Sequence, residues 1–106
     1  HATRIEHRVA GADANPYLAI AAILAGMLHG IENKLQAPPP LAGNAYELLE
    51  PSLPRYWPDA LARFASSGFI AHNFGRAFQN VYSVLKQQEM ADFDGQVTPL
   101  EYYACL

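Results

Sequence analysis

Apolar and polar residues follow three different patterns along this chain of 106 residues. Near the start, the stretch TRIEHRV, residues 3–9, places charged residues at every second position with Ile5, His7 and Val9 on the other face, and this period of two is typical of a β-strand. Residues 16–31 carry no Asp, Glu, Lys or Arg, and a helix that is apolar on all sides is one that a protein buries. Further on, apolar residues recur at spacings of three and four, which indicates amphipathic helices. The pattern therefore predicts one strand followed by helices.

Start and stop signals set the bounds of these helices. Asn15 followed by Pro16 predicts the first helix start, since asparagine caps a helix and proline fits its first position. The capping-box acid Glu101 follows Thr98 and Pro99 in the same way near the end of the chain. The predicted fold class is α+β, with one N-terminal strand at about residues 3–9. The predicted helices span about residues 16–36, 58–67, 71–93 and 98–106.

Composition narrows the class of protein. Charged residues make up 16% of the chain, against roughly 25% in ordinary soluble domains, so we expect surface that more protein covers. The chain opens at His1, already at the threshold of the strand, which predicts a piece of a longer polypeptide. A net charge of −3 with scattered Lys and Arg argues against a nucleic-acid partner. The single cysteine, Cys105, and an apolar run of only 13 residues predict a cytoplasmic protein without a membrane partner.

The charged residues of the predicted strand are the main candidates for chemistry. On a strand, Arg4, Glu6 and Arg8 would project to one face. One interpretation, which the pattern alone favours, is a set of ion pairs on a solvated sheet face. The other is the wall of a site that binds anions and a metal. Glu6 offers an oxygen ligand for Mg²⁺ or Mn²⁺, and an arginine can bind carboxylate or phosphate through two parallel hydrogen bonds.

The remaining candidates carry less information. The four histidines share no metal-ligand spacing, and His29, on an apolar helix, is expected to pack or to form a hydrogen bond. No serine stands in a nucleophile motif, and no glycine-rich loop is present to cradle a phosphate. The sequence alone therefore leaves the charged stretch as the one candidate site.

The stretch RIEHRVAGADANPYLAIAAILAGMLHGI, residues 4–31, resembles the signature segment of the glutamine synthetase family. That family carries R-I-E-x-R on a strand, a turn of small or acidic residues, A-N-P-Y-L, and an apolar helix that ends in Gly-Ile. The remainder is similar, more loosely, to the family's C-terminal helical region. The resemblance implies that residues 1–106 are the C-terminal segment of a glutamine synthetase-like catalytic domain. Residues 1–36 would hold an active-site strand and a buried helix, and residues 37–106 the C-terminal helical region.

The resemblance also implies roles for the charged residues. Glu6 would bind a divalent metal, Mg²⁺ or Mn²⁺, and Arg4 would contact the phosphates of ATP. Arg8 would be catalytic and would hold the substrate glutamate and the γ-glutamyl phosphate formed from it. The implied reaction, part of nitrogen metabolism, joins glutamate to ammonia or to an amine. The implied assembly is a homo-oligomer, which in the family is a dodecamer.

Within the family, RIEHR, GADANPYL and GNAYE are most similar to γ-glutamylpolyamine synthetases, whose amine is putrescine or a similar compound. The bacterial ammonia-using enzymes have a modified tyrosine in an N-L-Y-D-L-P-P context, which residues 44–50 here do not match. We therefore predict no adenylylation at Tyr46. The family's other metal ligands and its nucleotide pocket lie upstream of the matched segment, so we expect the chain alone to be inactive. The alternative is a non-catalytic helical interaction module derived from the family.

Overall fold

The computed structural model describes residues 3–4, 6–44, 47 and 52–105. The chain divides into two compact units, unit 1 (His1–Leu41) and unit 2 (Ala42–Leu106). Unit 1 contains helix α1 and unit 2 contains helices α2 to α5. In chain order these are α1 (Pro16–Glu32), α2 (Trp57–Ser66), α3 (Gly68–Phe74), α4 (Arg76–Asp94) and α5 (Pro99–Cys105).

The predicted α+β fold class is wrong, because the described residues contain helices and no strand. Of the predicted strand, residues 3–4 and 6–9 are described, and their backbone forms no regular structure. A strand exists through hydrogen bonds to a neighbouring strand, and the described part of the chain offers no such neighbour. The described residues of this stretch therefore lie on an irregular segment and not on a sheet.

The predicted start of α1 is confirmed. The Asn15 side-chain oxygen Oδ1 accepts hydrogen bonds from the backbone N–H groups of Tyr17, at 3.0 Å, and Leu18, at 3.2 Å. Pro16 occupies the first helical position, where its missing N–H leaves no hydrogen bond unmade. Two adjacent residues thus fix where the helix begins.

The predicted end of this helix, at residue 36, is wrong. Lys34 has a φ of 50°, in the left-handed region, and its N–H donates to the carbonyl of Ile31 at 3.2 Å. The N–H of Leu35 donates to the carbonyl of Gly30 at 3.0 Å. These two bonds form a Schellman motif, which closes a helix at its C-terminus. The run of prolines that follows sets only an outer limit for the helix.

Helix α1 contains no buried residue within the described part of the chain. The apolar composition of α1 predicts a buried helix. The described residues of its own unit do not bury it. Despite this apolar surface, no helix among the described residues is long and apolar enough to cross a membrane. The large apolar side chains that α1 exposes include Ile20, Leu24, Met27, Leu28 and Ile31.

The predicted helix over residues 71–93 is wrong as a single element, since it is interrupted at Gly75. Gly75 has a φ of 84° and a ψ of 147°, a backbone conformation that is essentially restricted to glycine. The helix before the break, α3, also begins earlier than predicted. The hydroxyl of Ser67 accepts a hydrogen bond from the N–H of Ile70 at 3.2 Å and caps it. The predicted helix over 58–67 is confirmed as α2, shifted by one residue.

Four aromatic side chains, which we call the aromatic cluster, hold α2, α3 and α4 together. Phe64 of α2 lies with its ring centroid 5.1 Å from that of Tyr82 on α4. Along α3 and α4, the centroids of Phe74 and Phe78 are 5.7 Å apart, and those of Phe78 and Tyr82 are 5.4 Å apart. Aromatic pairs at such distances add about 0.5–1.5 kcal/mol each beyond the area they bury.

A buried amide joins the same helices. Gln79 of α4 is only 3% exposed, and its Nε2 donates to the carbonyls of Phe64, at 2.8 Å, and Ser67, at 2.9 Å. These carbonyls lie where α2 ends and α3 begins, and each also accepts one backbone N–H: that of Ser67 on the Phe64 carbonyl, at 3.2 Å, and that of Ala71 on the Ser67 carbonyl, at 3.1 Å. Beside it, the Ser83 hydroxyl donates to the carbonyl of Gln79 at 2.7 Å. Unit 2 is thus held by rings on one side and by a satisfied polar contact on the other.

The capping box predicted for the last helix is confirmed. The N–H of Thr98 donates to Glu101 Oε2 at 2.7 Å, and the N–H of Glu101 donates to the Thr98 hydroxyl at 3.3 Å. Pro99 is the first residue of α5. The two side chains therefore satisfy the first free N–H groups of the helix reciprocally.

Candidate functional site

The three candidate residues Arg4, Glu6 and Arg8 lie on the segment that precedes α1, and all three are exposed. A turn follows the segment, in which the N–H of Ala14 donates to the carbonyl of Gly11 at 3.1 Å. The Asn15 cap comes directly after this turn. The turn and the cap together bring the charged segment to the N-terminal end of α1.

Glu6 and Arg8 form an ion pair. Arg8 Nε donates to Glu6 Oε1 at 2.7 Å, and Arg8 Nη2 lies 2.6 Å from the same oxygen. The Arg8 side chain is 82% exposed and that of Glu6 is 58% exposed. Such exposed pairs contribute about 0–1 kcal/mol to stability. The ion pair that one interpretation predicted is therefore present, on an irregular segment and not on a sheet.

Arg4 is placed differently from the other two candidates. It is exposed and makes no hydrogen bond or ion pair with a residue that the structure describes. The structure thus brings two of the three predicted site residues into contact and leaves the third open to solvent. Two predicted features, Tyr46 in its turn and Ile5 in the charged segment, lie outside the described residues.

The donor set limits what metal chemistry these residues can supply. Among the described residues, no group of three or more His, Cys, Asp and Glu side chains is arranged to hold a metal ion. Glu6 offers a single exposed carboxylate, whereas Mg²⁺ takes about six oxygen ligands, several of them water. A carboxylate suits this hard cation, so Glu6 fits the role of one ligand. The other ligands would come from outside the described residues.

His29 has a hydrogen-bonding role near the C-terminus of α1, as predicted. The Asn33 side-chain nitrogen Nδ2 lies 3.1 Å from His29 Nδ1 and donates to the His29 carbonyl at 2.8 Å. With Nδ2 as the donor, Nδ1 is the accepting nitrogen of a neutral ring. Asn33 was not singled out from the sequence, although asparagine at a helix end is a known C-terminal signal.

The comparison with known families tests the resemblance that residues 4–31 indicate. The family model described as "glutamine synthetase, catalytic domain" matches residues 1–105 of this chain. The chain belongs to the glutamine synthetase catalytic-domain family. The predicted resemblance is therefore confirmed over nearly the whole length of the chain.

The names of three relatives indicate that these proteins act on different amines. The chain is 41% identical over 101 residues to gamma-glutamylputrescine synthetase PuuA of Escherichia coli, which covers 95% of this chain. It is 37% identical over 98 residues to gamma-glutamylethanolamide synthetase GlnA4 of Streptomyces coelicolor, which covers 92% of it. Over a shorter stretch of 54 residues, 51% of this chain, it is 56% identical to a glutamate–isopropylamine ligase of a Pseudomonas species.

The chain spans about a fifth or less of the length of these relatives. It covers 21% of the length of the putrescine and ethanolamide enzymes and 12% of the isopropylamine ligase. No solved structure matches the chain. The sequence thus establishes the family of this chain. It does not by itself establish the activity of the whole protein.

Proposed function

We propose that this chain is the C-terminal segment of the catalytic domain of an ATP-dependent ligase. The ligase joins glutamate, through γ-glutamyl phosphate, to ammonia or to an amine such as putrescine. The observation that carries this proposal is the family match over residues 1–105. An amine substrate is favoured over ammonia because gamma-glutamylputrescine synthetase is 41% identical over 95% of this chain.

In the proposed site, each charged residue has a separate task. Glu6 is a ligand of the divalent metal, Mg²⁺ or Mn²⁺, which neutralises phosphate charge during phosphoryl transfer. Arg4 contacts the phosphates of ATP. Arg8 holds the glutamate carboxylate and the acyl phosphate formed from it, because a guanidinium can bind either group through two parallel hydrogen bonds.

Two features of the described segment support these tasks. All three side chains are exposed, so their charged groups can reach a ligand without first leaving a core. The Glu6–Arg8 contact also shows that these two side chains lie next to each other on the segment. A metal ligand and an anion-binding group can thus face one ligand together.

The proposal extends to the organisation of the protein. Residues 1–36 carry the active-site segment and the helix behind it, and residues 37–106 form the C-terminal helical region. Since Glu6 is one ligand of several, the 106 residues alone are inactive. The whole protein is proposed to work in the cytoplasm as a homo-oligomer.

A second candidate function is a non-catalytic helical interaction module. The observation that favours it is the apolar surface that α1 exposes, such as Ile20, 57% exposed, and Ile31, 73% exposed. Surface of this kind marks places where another protein binds. The sequence of the full-length protein separates the two candidates, since only a ligase needs further metal-binding carboxylates upstream.

The metal role can be tested by Glu6→Ala in the full-length protein. We expect the rate of amide formation to fall at least about a hundredfold, because a metal ligand is lost and two arginines lose the charge between them. The melting temperature should change little, since the Glu6 side chain is exposed.

The matched control is Glu32→Ala, the same substitution at an exposed residue of the last turn of α1. We expect this variant to keep its activity. Near-normal turnover of the Glu6 variant at ordinary Mg²⁺ concentrations would contradict the proposed function of this residue.

A further inference from the structure

We propose that Glu6 and Arg8 form an ion pair with each other when no ligand is bound. Binding of a cation by Glu6 then releases Arg8 to bind an anionic substrate group. This inference rests on the proposed function, because it takes Glu6 as a ligand of a divalent cation and Arg8 as an anion-binding residue. It adds a coupling between two tasks that the proposed function treats separately.

The Glu6–Arg8 pair uses one carboxylate oxygen for two contacts. Both contacts of Arg8, from Nε and Nη2, end on a single oxygen, Glu6 Oε1. A carboxylate oxygen has two lone pairs, so two strong N–H donors engage both of them. A cation that binds through this oxygen needs one of those lone pairs. Arg8 must therefore withdraw at least one of its contacts.

Binding through the other oxygen leads to the same result. A divalent cation on Glu6 Oε2 would come close to the guanidinium of Arg8, which carries a charge of the same sign. Repulsion between the two cations favours a conformation in which Arg8 points elsewhere. The exchange therefore does not depend on which carboxylate oxygen the cation takes.

The pair restrains Arg8 as well as Glu6. The Nε–Nη2 edge of the guanidinium is one of its two edges that can grip a carboxylate or phosphate, and here it faces Glu6. The opposite charge of Glu6 also reduces the attraction that Arg8 exerts on an incoming anion. Arg8 therefore binds an anion less well while it is paired.

The exposure of the pair sets the size of the effect. With Arg8 82% and Glu6 58% exposed, water and salt screen their attraction. A ligand of Glu6 or Arg8 must first open the pair. The free energy that this costs should weaken binding to either residue about two- to fivefold. By thermodynamic reciprocity, a cation that opens the pair raises anion affinity by the same factor as the anion raises cation affinity.

The test measures Mn²⁺ binding to the full-length protein without turnover, from the electron paramagnetic resonance signal of free Mn²⁺. Glu6→Ala first identifies the site in question as the one that is lost. At that site, Arg8→Met should bind Mn²⁺ about two- to fivefold more tightly in the absence of glutamate, because the competing donors are gone.

The matched control is Arg4→Met, which removes the same charge from the same segment without touching the pair. We expect it to tighten Mn²⁺ binding less than half as much as Arg8→Met. Equal tightening by both variants would mean a general charge effect and would overturn the exchange.

The outcomes also separate this inference from the function on which it rests. If Glu6→Ala leaves every Mn²⁺ site intact, the proposed metal role of Glu6 fails and the exchange fails with it. If Glu6→Ala loses a site but Arg8→Met does not tighten it, the metal role holds and the exchange alone is wrong.

A second measurement uses the unmodified protein, so that a variant that folds poorly cannot obscure the result. The ¹⁵N resonance of Arg8 Nε, assigned by its loss in Arg8→Met, should shift when Mg²⁺ saturates the protein. In Glu6→Gln the same resonance should start at a different position and should not respond to Mg²⁺. A resonance that ignores Mg²⁺ in the unmodified protein would overturn the proposal.

Discussion

The two units of this chain use their polar side chains in opposite ways. In unit 1, the polar residues with proposed chemistry, among them Glu6 and Arg8, are exposed, and α1 buries no residue. In unit 2, the polar residues Gln79 and Ser83 are among the most buried side chains described, and their hydrogen bonds join or brace helices. One unit therefore presents polar groups outward, and the other uses them to hold itself together.

This difference shows why the chemistry and the fold of the chain depend on different contacts. Unit 2 has its own aromatic cluster, so α2, α3 and α4 have partners within the described residues. Among the residues that the structure describes, none forms a comparable cluster over the apolar side chains of α1, and none pairs as a strand with the charged segment before it. The part of the chain with proposed catalytic residues is thus the part that most needs additional structure around it.

The largest expected effect concerns the exposed surface of α1. We predict that the isolated chain self-associates, because Ile20 and Leu24 lie one turn apart on an apolar surface that water does not favour. Replacing both by lysine should weaken the association about a hundredfold, since each 1.4 kcal/mol lost is a factor of ten and both copies are changed. Sedimentation velocity over a range of protein concentrations measures this.

The control for this comparison lies in unit 2. Val81 and Leu85 of α4 are also exposed and also one turn apart, at 69% and 52%. Replacing both by lysine should weaken self-association much less. If the apolar surface of α1 needs no partner, the unsubstituted chain will sediment as a monomer at high concentration. That result would contradict the prediction.

The next effect concerns the buried amide of unit 2. Gln79→Leu removes the donor that the carbonyls of Phe64 and Ser67 share. Each carbonyl keeps one backbone donor, from Ser67 and Ala71 respectively, so the loss is that of two hydrogen bonds between helices. At about 0.5–1.5 kcal/mol for each bond, the free energy of unfolding should fall by about 1–3 kcal/mol. Urea unfolding of the chain, followed by far-ultraviolet circular dichroism, measures this loss.

Gln87→Leu provides the comparison, since Gln87 is an exposed residue of the same helix. Its effect should stay within about 0.5 kcal/mol. Equal losses from the two substitutions would show that unit 2 does not depend on its buried polar contact, and the contrast between the units would weaken.

The smallest effect concerns the capping box of α5. Hydrogen bonds from the Thr98 backbone N–H first, and from its side chain second, hold the pKa of Glu101 below its ordinary value. A lowered pKa in the folded state means that the ionised carboxylate stabilises the cap above pH 4.5, its ordinary value. This stabilisation is lost as the pH falls through the lowered pKa. The amide resonance of Tyr102, whose N–H donates to the Thr98 carbonyl, should report the change.

Glu101→Gln serves as the control for this titration, because glutamine can accept the same hydrogen bond but does not ionise in this range. The Tyr102 resonance should then be insensitive to pH below 4.5. An unchanged pH response in this variant would assign the effect to another group.

Local signals in the sequence predicted the starts of α1 and α5 correctly. The start of α1 depends on Asn15 and Pro16 alone, and the start of α5 on Thr98 and Glu101, so neighbouring residues contain all that is needed. The interruption at Gly75 was also visible as a glycine inside a helical pattern. A single glycine costs a helix only about 1 kcal/mol relative to alanine, so the pattern alone does not require a break, and only the observed φ of 84° shows it.

Structure that depends on distant residues could not be predicted in the same way. The strand prediction failed because alternation shows which faces differ and not whether a partner strand exists. The contact from Gln79 to Phe64 spans 15 residues, and no local pattern announces it. For the candidate site, Glu6 and Arg8 form an ion pair but not on the predicted sheet face, and the catalytic tasks of both residues stay predictions.

The Gln79 amide also determines the register between α2 and α4. Phe78 and Tyr82 lie four residues apart, so a slip of α4 by one turn, about 5.4 Å, would still place a ring near Phe64. The amide does not tolerate this slip, because the residue one turn away is glycine on one side and serine on the other. Neither side chain is long enough to reach two carbonyls. The aromatic rings therefore attract the helices to one another, and a single directional contact selects one alignment among several.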